Sequence, residues 1–175
     1  GMSVLVVGAS GGVGTYAVQL AKSLGAQVTG VCSAENQDMV SRLGASEVID
    51  YKEVDFTKGE GRFDIIFDCI GRHNAKRCAA VLKQGGTHVT TIPSPKSLMM
   101  SLATVVKASI FPSTKKSQVV MVKPVGEDLK TLSGLIEGGR VIPQTDRIFP
   151  LEDAAAALDY SRSLRAKGKV IVQVQ

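Results

Sequence analysis

The residues of this chain best suited to chemistry are glycines, and the chemistry is the binding of a phosphate-bearing anion. Residues 8–14 read GASGGVG, a GxxGxxG spacing through Gly8, Gly11 and Gly14 with an additional glycine at Gly12; Ala9 breaks the plain GxGxxG form. Such a turn must reverse sharply, bring its backbone close to a pyrophosphate and let a helix pack tightly on a strand, and a Cβ obstructs each of these. The candidate anion-binding residues are therefore Gly8, Ala9, Ser10, Gly11, Gly12, Val13 and Gly14. The amides near Gly12, Val13 and Gly14 are expected to point unpaired at the phosphates, where the helix dipole also favours negative charge.

Two elements must hold that turn. Residues 4–7 are a run of β-formers directly before it, and Val13, Ala17, Val18, Leu20, Ala21 and Leu24 follow directly after at helical spacing. A strand before and a helix after are the context that a dinucleotide-binding turn requires.

The choice of dinucleotide is read at the end of the second strand. In NAD-binding units an acid there, about 20 residues beyond the glycines, accepts hydrogen bonds from the adenosine ribose. Here the strand ends in Val31, Cys32 and Ser33, and the nearest acid, Glu35, lies beyond it. Without a carboxylate in that place a 2′-phosphate is not repelled, so NADP(H) is expected ahead of NAD(H). Ser33, Asn36 and Tyr51 are candidate hydrogen-bond donors to that phosphate, with Arg162 or Arg165 arriving from the tail; a helix cap at Ser33 and solvated arginines are the structural alternatives. Cys69, Ile70 and Gly71 after the fourth strand, with Ile92 after the fifth, are candidates for the ribose and nicotinamide wall.

No catalytic residue is assigned. The sequence offers no Ser/His/Asp or Cys/His arrangement and no HExxH or ExxH element, and Asp64 and Asp68 flank a strand where hydrogen bonding at the strand end is expected. A hydride-transfer protein can lack such groups, because the cofactor carries the chemistry. No metal site is expected either, since His73 and His88 lack partners at ligand spacing. Cys32, Cys69 and Cys78 form no CxxC pair and are expected as free thiols in a reducing compartment, the cytoplasm first and an organelle second.

The remaining pattern predicts an α/β fold, a Rossmann-type doubly wound parallel sheet in a single domain. Further strands are expected at 27–32, 47–51, 63–69, 87–92 and 118–122, with helices at 33–43, 75–82, 97–108 and 126–137. Residues 52–62 are a loop or short helix, and Gln84, Gly85 and Gly86 are expected to end a helix. The methionines of 97–108 are expected in the core or on a pocket wall. The tail differs in kind: 142–149 extended, an Ala-rich helix at 150–161 and a last strand at 169–174.

At 175 residues, 44% apolar and 21% charged, the chain is globular and long enough for one real core. The net charge of +5 is scattered, with five Phe, three Tyr and no Trp, so anionic small molecules fit it better than nucleic acid. No apolar run reaches the ~20 residues of a membrane span. Gly1 and Met2 read as a tag-cleavage remnant, with a natural upstream portion expected before the first strand.

GASGGVGTYAVQLAK, LGASEVIDY, FDIIFDCIG, FPLEDAAAAL and GKVIVQV, in that order, together resemble the zinc-free, quinone oxidoreductase-like branch of the medium-chain dehydrogenase/reductase superfamily. The resemblance implies an NADPH-dependent reductase of quinones, enones or enoyl groups. It implies that 1–141 form the dinucleotide-binding domain and that 142–175 return to an upstream GroES-like catalytic domain absent here, leaving this chain inactive alone. It also implies a homodimer joined along the sixth strand, and it places Asn36 where some members have a lysine. Two other readings are a non-catalytic NADP(H)-binding or sensing module and an enoyl-reductase segment of a polyketide or fatty-acid synthase.

Overall fold

Apolar runs alternate with glycine-punctuated stretches along the chain, and in the computed structural model, which describes residues 1–72, 75–111, 114–121 and 123–174, they form alternating strands and helices. The strands of the first sheet are β1 (Ser3–Val7), β2 (Gln27–Cys32), β3 (Glu47–Asp50), β4 (Phe63–Asp68), β5 (Leu82–Thr90) and β6 (Lys116–Val119). Between and after them run helices α1 (Gly14–Ser23), α2 (Gln37–Arg42), α3 (Ala75–Val81), α4 (Pro95–Ile110) and α5 (Gly126–Glu137). All pairings are parallel and the order is β3-β2-β1-β4-β5-β6, the doubly wound arrangement in which the order of strand addition reverses between β1 and β4.

Alternation along β1 explains why both faces are covered. Val4 and Val6 pack with Val18 of α1 and Val40 of α2, while Leu5 and Val7 pack on the other face with Ile66, Cys78 and Val81. A strand buried on both sides reads as a continuous apolar run, as this one does.

The tail makes a separate two-stranded parallel sheet of β7 (Thr145–Pro150) and β8 (Lys169–Gln173), joined through α6 (Ala154–Arg162). Its crossover is held by Tyr160, whose hydroxyl donates to Asp146 at 2.7 Å while Arg147 lies over its ring at 4.1 Å.

Several expectations change. The helix expected at 33–43 splits into a 3-10 turn at Ala34–Asn36 and the short α2. Gly85 and Gly86 do not follow a helix end; they lie in a bulge of β5, where the register jumps from Phe63↔Leu82 to Ile65↔Thr87. Lys83 in that bulge reaches Asp64 at 2.8 Å, which anchors the extra residues. The sixth strand is Lys116–Val119 and not 118–122; Val122 lies outside the described residues. Helix α4 is not core: it buries no residue, and Met99 is 74% exposed, but Met100 lines a cavity beside His88 and Ser117, so the pocket-wall expectation holds there, and Thr104 ties the helix to Ser117 of β6.

Candidate functional site

Each glycine of the turn has its own physical reason. Gly8 has φ +80°, in the left-handed region, and a Cβ on it would stand 2.7 Å from the Ile70 side chain. Gly14 faces the Gly8 carbonyl so closely that any Cβ would collide with it, so its bareness lets α1 pack onto the end of β1. Gly11 is different: a Cβ there would meet only the Gly8 oxygen, at 3.5 Å, an ordinary contact. The fold leaves the space over Gly11 open. The amides of Gly12, Val13 and Gly14 donate to no acceptor among the described residues, and they sit at the start of the ten-residue α1. Open backbone, unpaired amides and a positive helix end fit a pyrophosphate.

The turn is aimed from below by two amides, Gly8 N and Ala9 N, which both donate to the Val31 carbonyl at 3.0 and 2.9 Å. That contact ties the turn to the end of β2, where the adenosine candidates lie. Ser33 is buried, and neither it nor Asn36 caps a helix through its side chain. Instead Asn36 Nδ2 donates to Ser33 Oγ at 3.0 Å and to Ser10 Oγ at 3.4 Å, and Ser33 Oγ donates to Glu35 Oε1 at 3.2 Å. The structure thus brings Ser10, Ser33 and Asn36 into one cluster and adds Glu35, whose carboxylate the sequence placed beyond the strand. Tyr51, exposed, follows β3 beside them and is tied by its amide to Cys32 O at 3.2 Å. Arg162 pairs loosely with Asp159 on its own helix and Arg165 is exposed; neither forms an ion pair with this cluster.

The wall candidates also come together. Cys69 N donates to Val7 O at 3.1 Å, the Ile70 side chain lies against Gly8, and Gly71, at φ +70°, lies against Ile92, whose Cβ would be 2.8 Å from a Cβ on the glycine. Asp68 fixes this loop by accepting from the amides of Ile70 and Gly71, both at 2.9 Å. Burial pushes the Asp68 carboxyl up, but the His88 contact and those two amides outweigh it and hold the group below its ordinary value. Burial raises the thiols of Cys32, to about 11, and of Cys69 and Cys78, to about 12, with Asp50 adding at Cys32 and Asp68 at the other two. Thiols so protonated are weak nucleophiles.

The register pairs His88 with Ser117 of β6 and with Ile66 of β4, and Asp68, paired with Thr90, lies two residues further along β4, so Asp68 and Ser117 come to either side of the His88 ring, which spacing along the chain does not reveal. His88 Nε2 lies 3.6 Å from Asp68 Oδ2, and Nδ1 lies 3.5 Å from Ser117 Oγ. Both separations exceed those of a hydrogen-bonded relay, and all three side chains are buried. They form the floor of a cavity of about 260 Å³ that reaches Gly71 and Ile92. Among the described residues no three His, Cys, Asp or Glu side chains gather to hold a metal ion; His73 lies outside the described residues. No described helix is long and apolar enough to cross a membrane.

Comparison with known proteins establishes the family and the fold. The zinc-binding dehydrogenase family profile matches residues 43–172. The chain belongs to that family. The mitochondrial NAD(P)H oxidoreductase RTN4IP1 of Mus musculus is 32% identical over 192 residues, covering 99% of this chain and 48% of its own. The chloroplast envelope quinone oxidoreductase homolog of Arabidopsis thaliana is 33% identical over 175 residues, covering 98% of this chain and 52% of its own. The structure of a quinone oxidoreductase from Coxiella burnetii superposes with a TM-score of 0.83 at 26% identity, over 100% of this chain and 53% of that one. The chain spans about half the length of the curated relatives it matches.

Proposed function

We propose that this chain is the nucleotide-binding unit of an oxidoreductase that moves hydride from NADPH to a quinone, enone or enoyl substrate. The observation that carries the reading is the glycine turn: three unpaired amides and an open Gly11 at the carboxyl end of β1, where the sheet changes direction. Gly8 to Gly14 would hold the pyrophosphate, Ser33, Asn36 and Tyr51 the adenosine end, and Cys69, Ile70, Gly71 and Ile92 the ribose and nicotinamide. The nicotinamide, when bound, supplies the hydride; the chain's part is to place it and to keep an apolar wall beside it. Quinones as acceptors are supported by the names of the relatives in Arabidopsis thaliana and Coxiella burnetii.

NADP(H) is preferred because Ser33 and Asn36 offer donors where NAD-binding units place an acid. Glu35 limits that preference, since its carboxylate already lies at Ser33. A second part that binds the substrate, and pairing of two copies along β6, the edge strand of the sheet, belong to the same proposal. Calorimetric titration with NADPH and NADH side by side, then a turnover assay with a small quinone, tests it. Binding with NADPH favoured is expected; no binding of either overturns the reading.

A further inference from the structure

We propose that helix α4 is a docking face for a bilayer that carries anionic lipid. The helix is inside-out. The half-buried stripe that it turns to the sheet is Ser97, Met100, Ser101, Thr104 and Ala108, and Thr104 exchanges hydrogen bonds with the backbone of Ser117 on β6 at 3.0 and 3.2 Å. The side that it turns away carries Leu98, Met99, Leu102, Val105, Val106 and Ile110, all exposed, with Leu102 and Ile110 at 69%. A surface helix of a globular protein has the reverse pattern, apolar inward and polar outward. A contiguous apolar stripe facing outward marks a contact surface.

Charge decides what covers it. Residues 69–126, which span α3, β5, α4 and β6, contain nine of the 21 lysines and arginines of the chain and none of its 16 acids, leaving twelve bases against 16 acids elsewhere. Arg77 and Lys83 are answered from outside the stretch, by Asp55 and Asp64. Arg72, Lys96, Lys107, Lys115 and Lys116 form no ion pair among the described residues. An apolar face framed by such bases fits the boundary between acyl chains and anionic headgroups, where a helix lies flat and its lysines reach the headgroups. At 16 residues α4 is shorter than the ~20 of a membrane span. Nucleic acid fits the bases but not the face, whose six outward side chains offer it no hydrogen-bond donor. A second copy would bring the same bases, so α4 against α4 is repulsive. Pairing along β6 would leave the outward side free, because that side points away from the sheet.

The tail lies elsewhere. Helix α1, which holds the tail through Gln19, packs on the Val4 and Val6 face of β1, whereas α3 packs on the Leu5 and Val7 face. Helix α4 lies beside α3: Lys115 Nζ, just before β6, donates to the Ala79 carbonyl of α3 at 2.6 Å, and Ala79 and Met100 line one small cavity. The apolar face is therefore on the opposite side of the sheet from the tail. Its first turn also reaches the nucleotide site, since Lys96 and Ser97 line the cavity that extends to Gly71 and Ile92. A docked α4 would set the proposed nicotinamide wall close to the membrane surface, within reach of quinones dissolved in the bilayer. That consequence rests on the reading above; the docking itself does not.

The chain contains no tryptophan, so a single introduced one reports alone. With vesicles of phosphatidylcholine and about 30 mol% phosphatidylserine, Leu102→Trp is expected to shift its emission to shorter wavelength and to be quenched by brominated acyl chains. Leu158→Trp, exposed on α6, should do neither. In co-sedimentation the wild type should bind those vesicles at least ~10-fold more tightly than phosphatidylcholine alone, and salt should weaken the binding. Leu102→Gln with Val106→Gln, both at exposed positions, should cost at least ~10-fold. Lys96→Gln with Lys107→Gln should cost roughly 10-fold on the anionic vesicles and nothing on the neutral ones. A tryptophan at 102 that stays in water, or binding that the Leu102 and Val106 pair leaves intact, overturns the assignment of α4. Tighter binding to duplex DNA than to the anionic vesicles overturns it in favour of a nucleic-acid surface, and a lipid-free dimer that the same pair dissociates gives the face to a second copy. Titration with NADPH separates the two readings: vesicle binding without nucleotide binding overturns the proposed function alone, and the converse overturns this inference alone.

Discussion

The side chain of Gln19 closes a two-way hydrogen bond with the backbone of Ile142, its Nε2 donating to the carbonyl at 3.0 Å and its Oε1 accepting from the amide at 2.7 Å. Gln19 is buried on α1, the helix into which the glycine turn leads, and Ile142 opens the tail. A single side chain therefore satisfies both polar groups of the residue at which the tail leaves the main fold.

Gln19→Leu keeps the bulk of the side chain and strands both groups of Ile142. Ile142 is exposed, so water can reach its freed groups, and losing two hydrogen bonds of about 0.5–1.5 kcal/mol each should lower stability by roughly 1–3 kcal/mol in urea unfolding. The tail should also become open to protease before the rest of the chain. A variant as stable and as resistant as the wild type would show that the tail docks without this clamp.

Gly11 and Gly14 should separate binding from folding. Gly11→Asp adds a side chain where the protein has room, so the variant should fold, with its melting temperature within a few degrees of wild type, while nucleotide affinity falls at least ~100-fold from charge repulsion and blockage. Gly14→Ala drives a methyl into the Gly8 carbonyl and should destabilise by several kcal/mol whether nucleotide is present or not. If Gly11→Asp unfolds the chain, or binds as before, the open space over Gly11 is not a ligand seat.

Much of this arrangement was legible in the chain order. The glycine turn, the β1 run and the alternation of strands through β5 could be read because a buried parallel strand is apolar throughout and its turns need glycine. The bulge at Gly85 and Gly86 was not legible, since a glycine pair after a helix pattern reads equally as a cap. Nor was the approach of Lys169 to Gly12, where a Cβ on the glycine would stand 3.6 Å from Nζ: in sequence it looks like any lysine at the start of a strand, and the pairing of β7 with β8 brings it there. Glu35 misled for a similar reason: it lies beyond the strand in sequence, but the 3-10 turn at Ala34–Asn36 folds it back onto Ser33.

Glu35 and Ser33 should tune the cofactor in opposite directions. Glu35→Gln removes a negative charge from the place proposed for the 2′-phosphate, so NADPH affinity should rise roughly 3- to 10-fold and NADH affinity should stay level or fall. Ser33→Asp should weaken NADPH at least ~10-fold more than NADH. Parallel changes for both nucleotides in side-by-side titrations would remove Ser33 and Glu35 from the recognition of that phosphate.

Asp68 predicts a dependence of stability on pH. Its carboxyl is held below its ordinary value in the folded chain, against burial, by His88 and by the amides of Gly71 and Ile70. A carboxyl depressed on folding contributes stability that is fully present above the unfolded value of about 4 and is lost as pH falls through the lower folded value. Asp55, Asp64 and Asp146 are depressed as well, so the fall of the wild-type melting temperature in acid is their joint effect. Asp68→Asn isolates one member: the amide can still accept from the loop, but the charge is gone. At pH 7 it should cost on the order of 2 kcal/mol, the scale of a charged hydrogen bond. The gap between variant and wild type should then narrow as pH drops from about 5 to about 2, because the wild type loses the same charge by protonation. Thermal unfolding of both proteins across that range decides it, and a gap that stays constant would mean that Asp68 holds the loop by shape alone.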